Sequence, residues 1–175
     1  NLPNRLSLRE RLKQVQPTDA SNEELVTILS VGLDRFNQIN DNLGHDVGDL
    51  LLKAVAKRLT NCISNQDTVA HLNSSQFAII LANTQQKKEA GDIAQTILSN
   101  LSQTFALAGQ EIFITASIGI AFYPRDGVDI EQLLNHANTA MTKAKQQGGD
   151  QYEFYTIALN IGSSDRLALR SSLRH

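Results

Sequence analysis

Residues 31–49 read VGLDRFNQINDNLGHDVGD, in which the end of an apolar segment passes directly into polar, helix-forming sequence. The apolar segment covers residues 25–33 (LVTILSVGL) and predicts a strand that is buried on both faces. Beyond the quoted stretch, residues 46–61 place an apolar side chain at every fourth position, which predicts one face of an amphipathic helix. The stretch therefore joins a central strand to a helix that packs against it.

Strands and helices alternate along the rest of the chain. The two strands that follow the amphipathic helix are separated only by the polar residues 73–76, as in a β-hairpin. A mixed sheet with helices packed on it, an α/β (α+β) architecture, is the fold class that this order predicts. In chain order, the predicted elements are helix 5–14, strand 25–33, helix 46–61, strands 68–72 and 77–81, helix 86–105, strand 112–122, helix 130–145 and strand 152–155.

Composition limits the possible partners. The 175 residues are 41% hydrophobic and fit one compact domain, and a net charge of −2 argues against a nucleic-acid groove. A single cysteine, Cys62, suits a reducing cytoplasm, which is the location we expect. No apolar run reaches the ~20 residues of a membrane span, although the sequence leaves open whether a longer parent protein is membrane-anchored. The abrupt ends indicate a piece of such a protein.

The quoted stretch resembles the segment D-x-D-x-F-K-x-I-N-D, followed by G-H and G-D, of GGDEF domains. The matching residues are Phe36, Ile39-Asn40-Asp41, Gly44-His45 and Gly48-Asp49. The resemblance extends from the opening NLPNR to TASIGIA at residues 115–121 and AKxxG at residues 144–148. It implies a ferredoxin-like mixed-sheet sandwich related to adenylyl cyclases. In active members, two GTP-loaded domains meet antiparallel and form cyclic di-GMP with the help of Mg²⁺.

The positions that would hold this Mg²⁺ are replaced. Family members take metal carboxylates from the first Asp of D-x-D and from the third position of the G-G-[DE]-E-F hairpin. Here these positions are Gly32 and Ser75, and Gln76 stands in place of the adjacent Glu. We therefore expect no catalytic residues, no certain cofactor, and Mg²⁺ only if GTP binds. The remaining carboxylate of the pair, Asp34, is a weak candidate for a metal ligand.

Residues that resemble the family's nucleotide contacts are partly retained. Asn40 and Asp49 match the Asn and Asp that read guanine, and Lys145 matches a phosphate-binding lysine, whereas Asn37 and Gly149 replace a Lys and an Arg. Local structure offers an alternative explanation for each retained residue. Asn40 can close a turn, Asp49 suits the first turn of a helix, and Lys145 suits the last turn of one.

The resemblance divides the chain into two segments. Residues 1–158 are expected to form the GGDEF-like domain, and residues 159–175 a connector helix. The connector contains DRLALRSSLR at residues 165–174, which is similar to the helix that leads into the cyclic di-GMP phosphodiesterase (EAL) domain of tandem GGDEF–EAL proteins.

Three functions are consistent with the sequence. The leading hypothesis is an inactive GGDEF domain that regulates an attached EAL-like domain, with GTP or another guanine nucleotide and a second copy of the chain as further partners. The alternatives are an active diguanylate cyclase with unusual metal ligands and a nucleotide-free dimerisation or docking scaffold.

Overall fold

The computed structural model describes residues 8–11, 25–63, 67–73, 75–84, 87–107, 109–123, 126–127 and 129–156. Residues 8–11 are helical, and the remaining elements include a helix over residues 36–43 and a short strand pair over residues 105–112 that the sequence did not predict. In chain order they are β1 (Leu25–Leu33), α1 (Phe36–Leu43), α2 (His45–Asn61), β2 (Thr68–Asn73), β3 (Gln76–Thr84), α3 (Lys87–Leu101), β4 (Phe105–Leu107), β5 (Gln110–Ile112), β6 (Ala116–Tyr123), α4 (Ile130–Gln146) and β7 (Gln151–Phe154).

The main sheet has five strands in the order β2-β3-β1-β6-β7. Only the β6–β7 pair is parallel, so the sheet is mixed and the predicted fold class is confirmed. β1 lies in the centre, where Leu29 is paired with Ile79 on one side and with Ile120 on the other. A central strand is covered on both faces, which explains why residues 25–33 are apolar almost without interruption.

Side chains of β1 alternate between two hydrophobic cores. Leu29 and Val31 face the core that contains residues of α2 and α3. Val26 and Ile28 face the core that contains residues of α4. The end of β1 is therefore enclosed between α4 on one face and α2 on the other.

The prediction that one helix spans residues 86–105 was wrong at its C-terminal end. α3 stops at Leu101, and Phe105 begins β4, where it is paired with Ile112. Arg58 on α2 explains the early end, because its guanidinium donates to the carbonyls of Asn100, Gln103 and Thr104. The same guanidinium lies 3.5 Å from the centre of the Phe105 ring. Carbonyls that a longer helix would have used are thus bound by a side chain instead.

The prediction of one strand over residues 112–122 was also wrong. Ile112 belongs to β5 in a separate two-stranded sheet, and β6 starts only at Ala116. Between them, the carbonyl of Thr115 accepts the backbone N–H of Asp34 at 2.9 Å. The alternating apolar pattern continues through this break because Ile112, Ile114 and Ala116 are all buried.

Two predictions reach beyond the described residues. Helix 5–14 is confirmed only at residues 8–11, and the connector helix predicted within residues 159–175 lies outside the described part. Within that part, none of the helices has the length and apolar character needed to cross a membrane.

Candidate functional site

The end of β1 and the β2–β3 hairpin meet, as the motif positions require. Gly32 is paired with Gln76 across the sheet, and Leu33 donates its backbone N–H to the carbonyl of Ser75 at 2.9 Å. The hairpin turn is tight, since Asn73 is paired with Gln76. Gly32, Ser75 and Gln76 are therefore brought together where β1 ends and β3 begins.

The space next to Gly32 is already filled. A Cβ atom added at this position would lie 2.6 Å from Met141 Sδ and 3.0 Å from Lys145 Cε. Both side chains belong to α4, and Met141 is only 8% exposed. Real Cβ atoms essentially never approach another atom within 2.6 Å, so a side chain at position 32 would require Met141 to shift, and its contact with Lys145 would be tight.

Asp34 is held by four hydrogen bonds. Its Oδ1 accepts from Ser117 Oγ at 2.8 Å and from Lys145 Nζ at 3.0 Å. Its Oδ2 accepts from Thr115 Oγ1 at 2.7 Å and from the backbone N–H of Asp150 at 3.1 Å. Burial raises the pKa of this carboxyl, but the hydrogen bonds and the charge of Lys145 together outweigh burial and hold the pKa below its ordinary value.

The loop after α4 closes over this carboxylate. Gly149 has a φ of 76°, a left-handed conformation that favours glycine. A Cβ at this position would lie 2.6 Å from Asp34 Oδ2. The glycine that replaces the family's Arg thus allows the loop to approach Asp34, and the next residue, Asp150, donates the hydrogen bond described above.

Lys145 is bound to the end of β1. Besides its ion pair with Asp34, its ammonium donates to the carbonyl of Leu33 at 3.3 Å. The position of Lys145 in the last turn of α4 suits the helix dipole, as the structural alternative supposed. A phosphate would have to share this ammonium with Asp34.

Gln76 takes part in a polar network that the sequence analysis missed. Its amide donates to Ser30 Oγ at 2.8 Å and to Asn138 Oδ1. Ser30 in turn donates to Asn138 Oδ1 at 2.7 Å. The network ties β3 and β1 to α4. Ser30 offered a signal in the sequence, because it is one of only a few polar residues in a strand predicted to be buried on both faces.

Asn40 and Asp49 are brought near each other at the α1–α2 junction. Gly44 joins the two helices and donates its backbone N–H to the Asn40 carbonyl at 2.9 Å. The Asn40 side chain lies directly over Gly48, so that a Cβ at Gly48 would be 1.8 Å from Asn40 Oδ1. Asp49 is the next residue along α2 and its side chain is exposed. Gly48 therefore positions Asn40, a role that spacing alone did not reveal.

A separate cleft of about 240 Å³ lies between α1 and the segment before β6. Asp34 and Thr115 form its floor, and Phe113, which is 66% exposed, contributes to its lining together with Arg35. Neither Asn40 nor Asp49 lines this cleft. The sequence analysis did not predict it.

Comparison with known proteins identifies the fold. The family model described as "Diguanylate cyclase, GGDEF domain" matches residues 1–151. This chain belongs to the GGDEF family. It is a GGDEF domain of cyclic di-GMP signalling.

Relatives of this GGDEF domain include multidomain enzymes of Pseudomonas aeruginosa. The bifunctional diguanylate cyclase/cyclic di-GMP phosphodiesterase MucR is 36% identical over 173 residues, which cover 99% of this chain and 25% of MucR. The cyclic di-GMP phosphodiesterase NbdA is 34% identical over 149 residues, which cover 85% of this chain and 19% of NbdA. The chain thus spans a quarter or less of the length of these relatives.

Solved structures agree with this assignment. The GGDEF domain of YfiN (TpbB) from P. aeruginosa superimposes with a TM-score of 0.84 at 32% identity, covering 89% of this chain and 98% of that one. An EAL/GGDEF domain protein from M. capsulatus gives a TM-score of 0.74 at 40% identity, covering 88% of this chain and 99% of that one.

The residues at the end of β1 do not fit the magnesium ion that the family implies. Mg²⁺ takes oxygen ligands with near-octahedral geometry, usually one or two protein carboxylates. A carboxylate has about four lone-pair sites, and those of Asp34 already accept four hydrogen bonds. Among the residues that the structure describes, no cluster of three or more His, Cys, Asp or Glu side chains could hold a metal.

Proposed function

We propose that this GGDEF domain does not synthesise cyclic di-GMP and instead regulates an attached EAL-like domain, binding a guanine nucleotide through Asn40 and Asp49. The filled space at Gly32 is the observation that carries the proposal. Met141 and Lys145 lie where the first metal carboxylate of the family would begin. Phosphoryl transfer depends mainly on electrostatic stabilisation of the transferring group, and this edge of the sheet lacks the carboxylates that would hold a metal for that purpose.

Guanine binding is supported by the exposed carboxylate of Asp49, which follows Gly48, the residue against which the Asn40 amide lies. A carboxylate can accept hydrogen bonds from both N1–H and N2–H₂ of guanine, whereas adenine lacks this pair of donors. By analogy with base recognition in DNA, such a bidentate contact contributes about 1–3 kcal/mol of discrimination. The proposed site therefore distinguishes GTP from ATP.

Regulation of an EAL-like domain is supported by the tail and by the relatives. The family model ends at residue 151, but the match to MucR continues over 173 residues of this chain. Most of residues 159–175 thus have counterparts in a protein named as a bifunctional diguanylate cyclase/cyclic di-GMP phosphodiesterase. We assign residues 1–158 to the GGDEF domain and residues 159–175 to a connector, and we place this part of the protein in the cytoplasm, whether or not a longer parent is membrane-anchored. The antiparallel pairing implied by the family resemblance extends the proposal to a homodimer.

Isothermal titration of the purified chain with GTP, and with ATP as a control, tests the nucleotide site. Asp49→Ala is the informative variant, and Asp46→Ala is its matched control because both carboxylates are exposed near the start of α2. Asp46 lies in the first turn of α2, where the helix dipole favours its charge by about 0.3–1 kcal/mol, whereas Asp49 is the fifth residue of the helix and lies beyond that turn, so the expectation that Asp49 suits the first turn was wrong. Only Asp49→Ala should weaken GTP binding, by roughly 5- to 150-fold for a lost contact of about 1–3 kcal/mol.

The other outcomes separate the alternatives. Cyclic di-GMP in the recovered sample would show that the domain is an active cyclase and would overturn the proposal. Equal loss in both variants would assign Asp49 to helix stability, and no GTP binding at all would leave a scaffold. Regulation is tested on the full-length parent, whose cyclic di-GMP hydrolysis should change when GTP is added and should not change in the Asp49→Ala protein.

A further inference from the structure

The cation next to Asp34 is the ammonium of Lys145. It lies 3.0 Å from Asp34 Oδ1 and 3.3 Å from the Leu33 carbonyl, while Met141 fills the space beside Gly32. We infer that this internal ion pair replaces the divalent cation, so that the ligand is a guanine nucleoside or its monophosphate, bound without metal. The inference rests on the proposed guanine site at Asn40 and Asp49 and specifies which guanine compound that site prefers.

The charges of Asp34 and Lys145 oppose the binding of a divalent cation. The Asp34 carboxylate and the Lys145 ammonium neutralise each other within a partly buried site, in which the Asp34 side chain is 12% exposed. A divalent cation beside them would meet a positive charge at a few ångströms and a carboxylate whose lone pairs are occupied. Such a cation would first have to displace Lys145 from two oxygen atoms.

The charges around the proposed guanine site disfavour a ligand with several phosphates. Residues 36–52, which form α1 and the first half of α2, contain no Lys or Arg, and the exposed basic residues Arg35 and Lys53 lie immediately outside this range. Residues 36–52 themselves carry three exposed carboxylates, those of Asp41, Asp46 and Asp49. A triphosphate without a metal would bring several negative charges to this acidic surface. A monophosphate brings fewer, and a nucleoside brings none, so electrostatic repulsion favours the smaller ligands.

Asn40 and Asp49 are the residues that supply affinity at the proposed site. The Asn40 side chain lies against Gly48 and Asp49 is exposed, and both are suited to hydrogen-bond the base rather than the phosphates. Affinity that comes from the base does not depend on the number of phosphates. The site is therefore a reader of guanine itself.

Titration of the unmodified chain with guanosine, GMP and GTP, each in EDTA and in MgCl₂, tests this inference. GMP should bind equally in both conditions, within about twofold, and at least as tightly as GTP. The inference would be overturned if GTP bound about tenfold more tightly than GMP, or if GTP binding required Mg²⁺. Either result would leave the proposed function intact. Failure of every guanine compound to bind would refute both.

Electron paramagnetic resonance of Mn²⁺ provides a readout that is independent of nucleotide. The unmodified chain should leave added Mn²⁺ free in solution. The triple variant Gly32→Asp/Met141→Ala/Lys145→Ala supplies a carboxylate and the space for it and removes the neighbouring ammonium, and it should bind Mn²⁺. Met141→Ala/Lys145→Ala opens the same space without a carboxylate at position 32 and is the matched control, which should bind Mn²⁺ much more weakly. Mn²⁺ bound by the unmodified chain would refute the replacement of the metal.

Discussion

Replacing Gly48 by Ala should raise the stability of the domain and abolish most of its guanine binding. Gly48 lies inside α2, three residues after the helix begins, where glycine is about 0.8–1.0 kcal/mol less favourable than alanine. A Cβ added at Gly48 would lie 3.4 Å from Phe36 Cζ, which is an ordinary contact. The one severe contact is with Asn40 Oδ1, at 1.8 Å, at the end of a side chain that can rotate away. The net gain in the free energy of unfolding should therefore be about 0.5 kcal/mol.

Guanine binding should weaken although stability rises, because Asn40 must leave its position. Its oxygen has to move by more than 1 Å to restore a normal contact with the new methyl group, since carbon and oxygen atoms do not approach within about 3 Å without repulsion. A hydrogen bond to guanine is lost by such a shift. The expected cost is about 1–3 kcal/mol, or roughly 5- to 150-fold in affinity for GMP or GTP.

Thermal unfolding and isothermal titration of the same preparations measure both effects. Asn40→Ala should reproduce the loss of binding without the gain in stability. Thr60→Ala is the control for helix propensity, because Thr60 is exposed near the far end of α2. If Gly48→Ala keeps full guanine affinity, Asn40 does not contact the ligand. If it lowers stability by more than about 2 kcal/mol, the contact between Asn40 and Gly48 is structural and the reasoning fails.

Three further predictions concern the end of β1 and its support. Gly32→Ala should lower the free energy of unfolding in urea by about 1–3 kcal/mol, and Met141→Ala should reduce this penalty in the double variant; additive effects would show that the two sites do not touch. The pKa of Asp34 is lowered in the folded state, so its contribution to stability is full above the unfolded pKa of about 4 and is lost as the pH falls through the lower folded value. Urea titrations between neutral and acidic pH should show that the free energy of unfolding of the unmodified chain exceeds that of Asp34→Asn at neutral pH and that this difference shrinks as the pH falls through that range. A difference that stays constant with pH would contradict the lowered pKa of Asp34. Arg58→Ala should cost about 1–3 kcal/mol because its hydrogen bonds to the end of α3 are lost, whereas the exposed neighbour Lys57→Ala should change stability by less than about 0.5 kcal/mol.

The position of Asp34 illustrates the limit of motif reasoning. The sequence showed that one carboxylate of the D-x-D pair survives, and this made Asp34 a weak candidate for a metal ligand. In the structure, its oxygens accept hydrogen bonds from residues of β6, from the segment before β6, from α4 and from the loop that follows α4. A motif gives the identity of a residue, but the number of hydrogen bonds already made by that residue depends on the tertiary structure.

The central strand, the hairpin, the helical periods and the family were determined by the sequence alone. These features depend on residues that are close in the chain, such as the apolar run 25–33 or the spacing from Phe36 to Asp49, and local patterns report local structure directly. The sequence did not determine the boundaries of α3 and β6, because groups from distant segments bind the backbone there: the Arg58 side chain at the end of α3 and the Asp34 backbone N–H just before β6.

Only the tertiary structure decided what occupies the candidate site. The ion pair between Asp34 and Lys145 joins residues 111 positions apart, and the bond between Gln76 and Asn138 joins residues 62 apart. Met141 reaches Gly32 only because α4 packs across the face of β1. The sequence showed that position 32 is a glycine. That a thioether and an ammonium lie beside this glycine follows from packing between distant segments, which no local pattern contains.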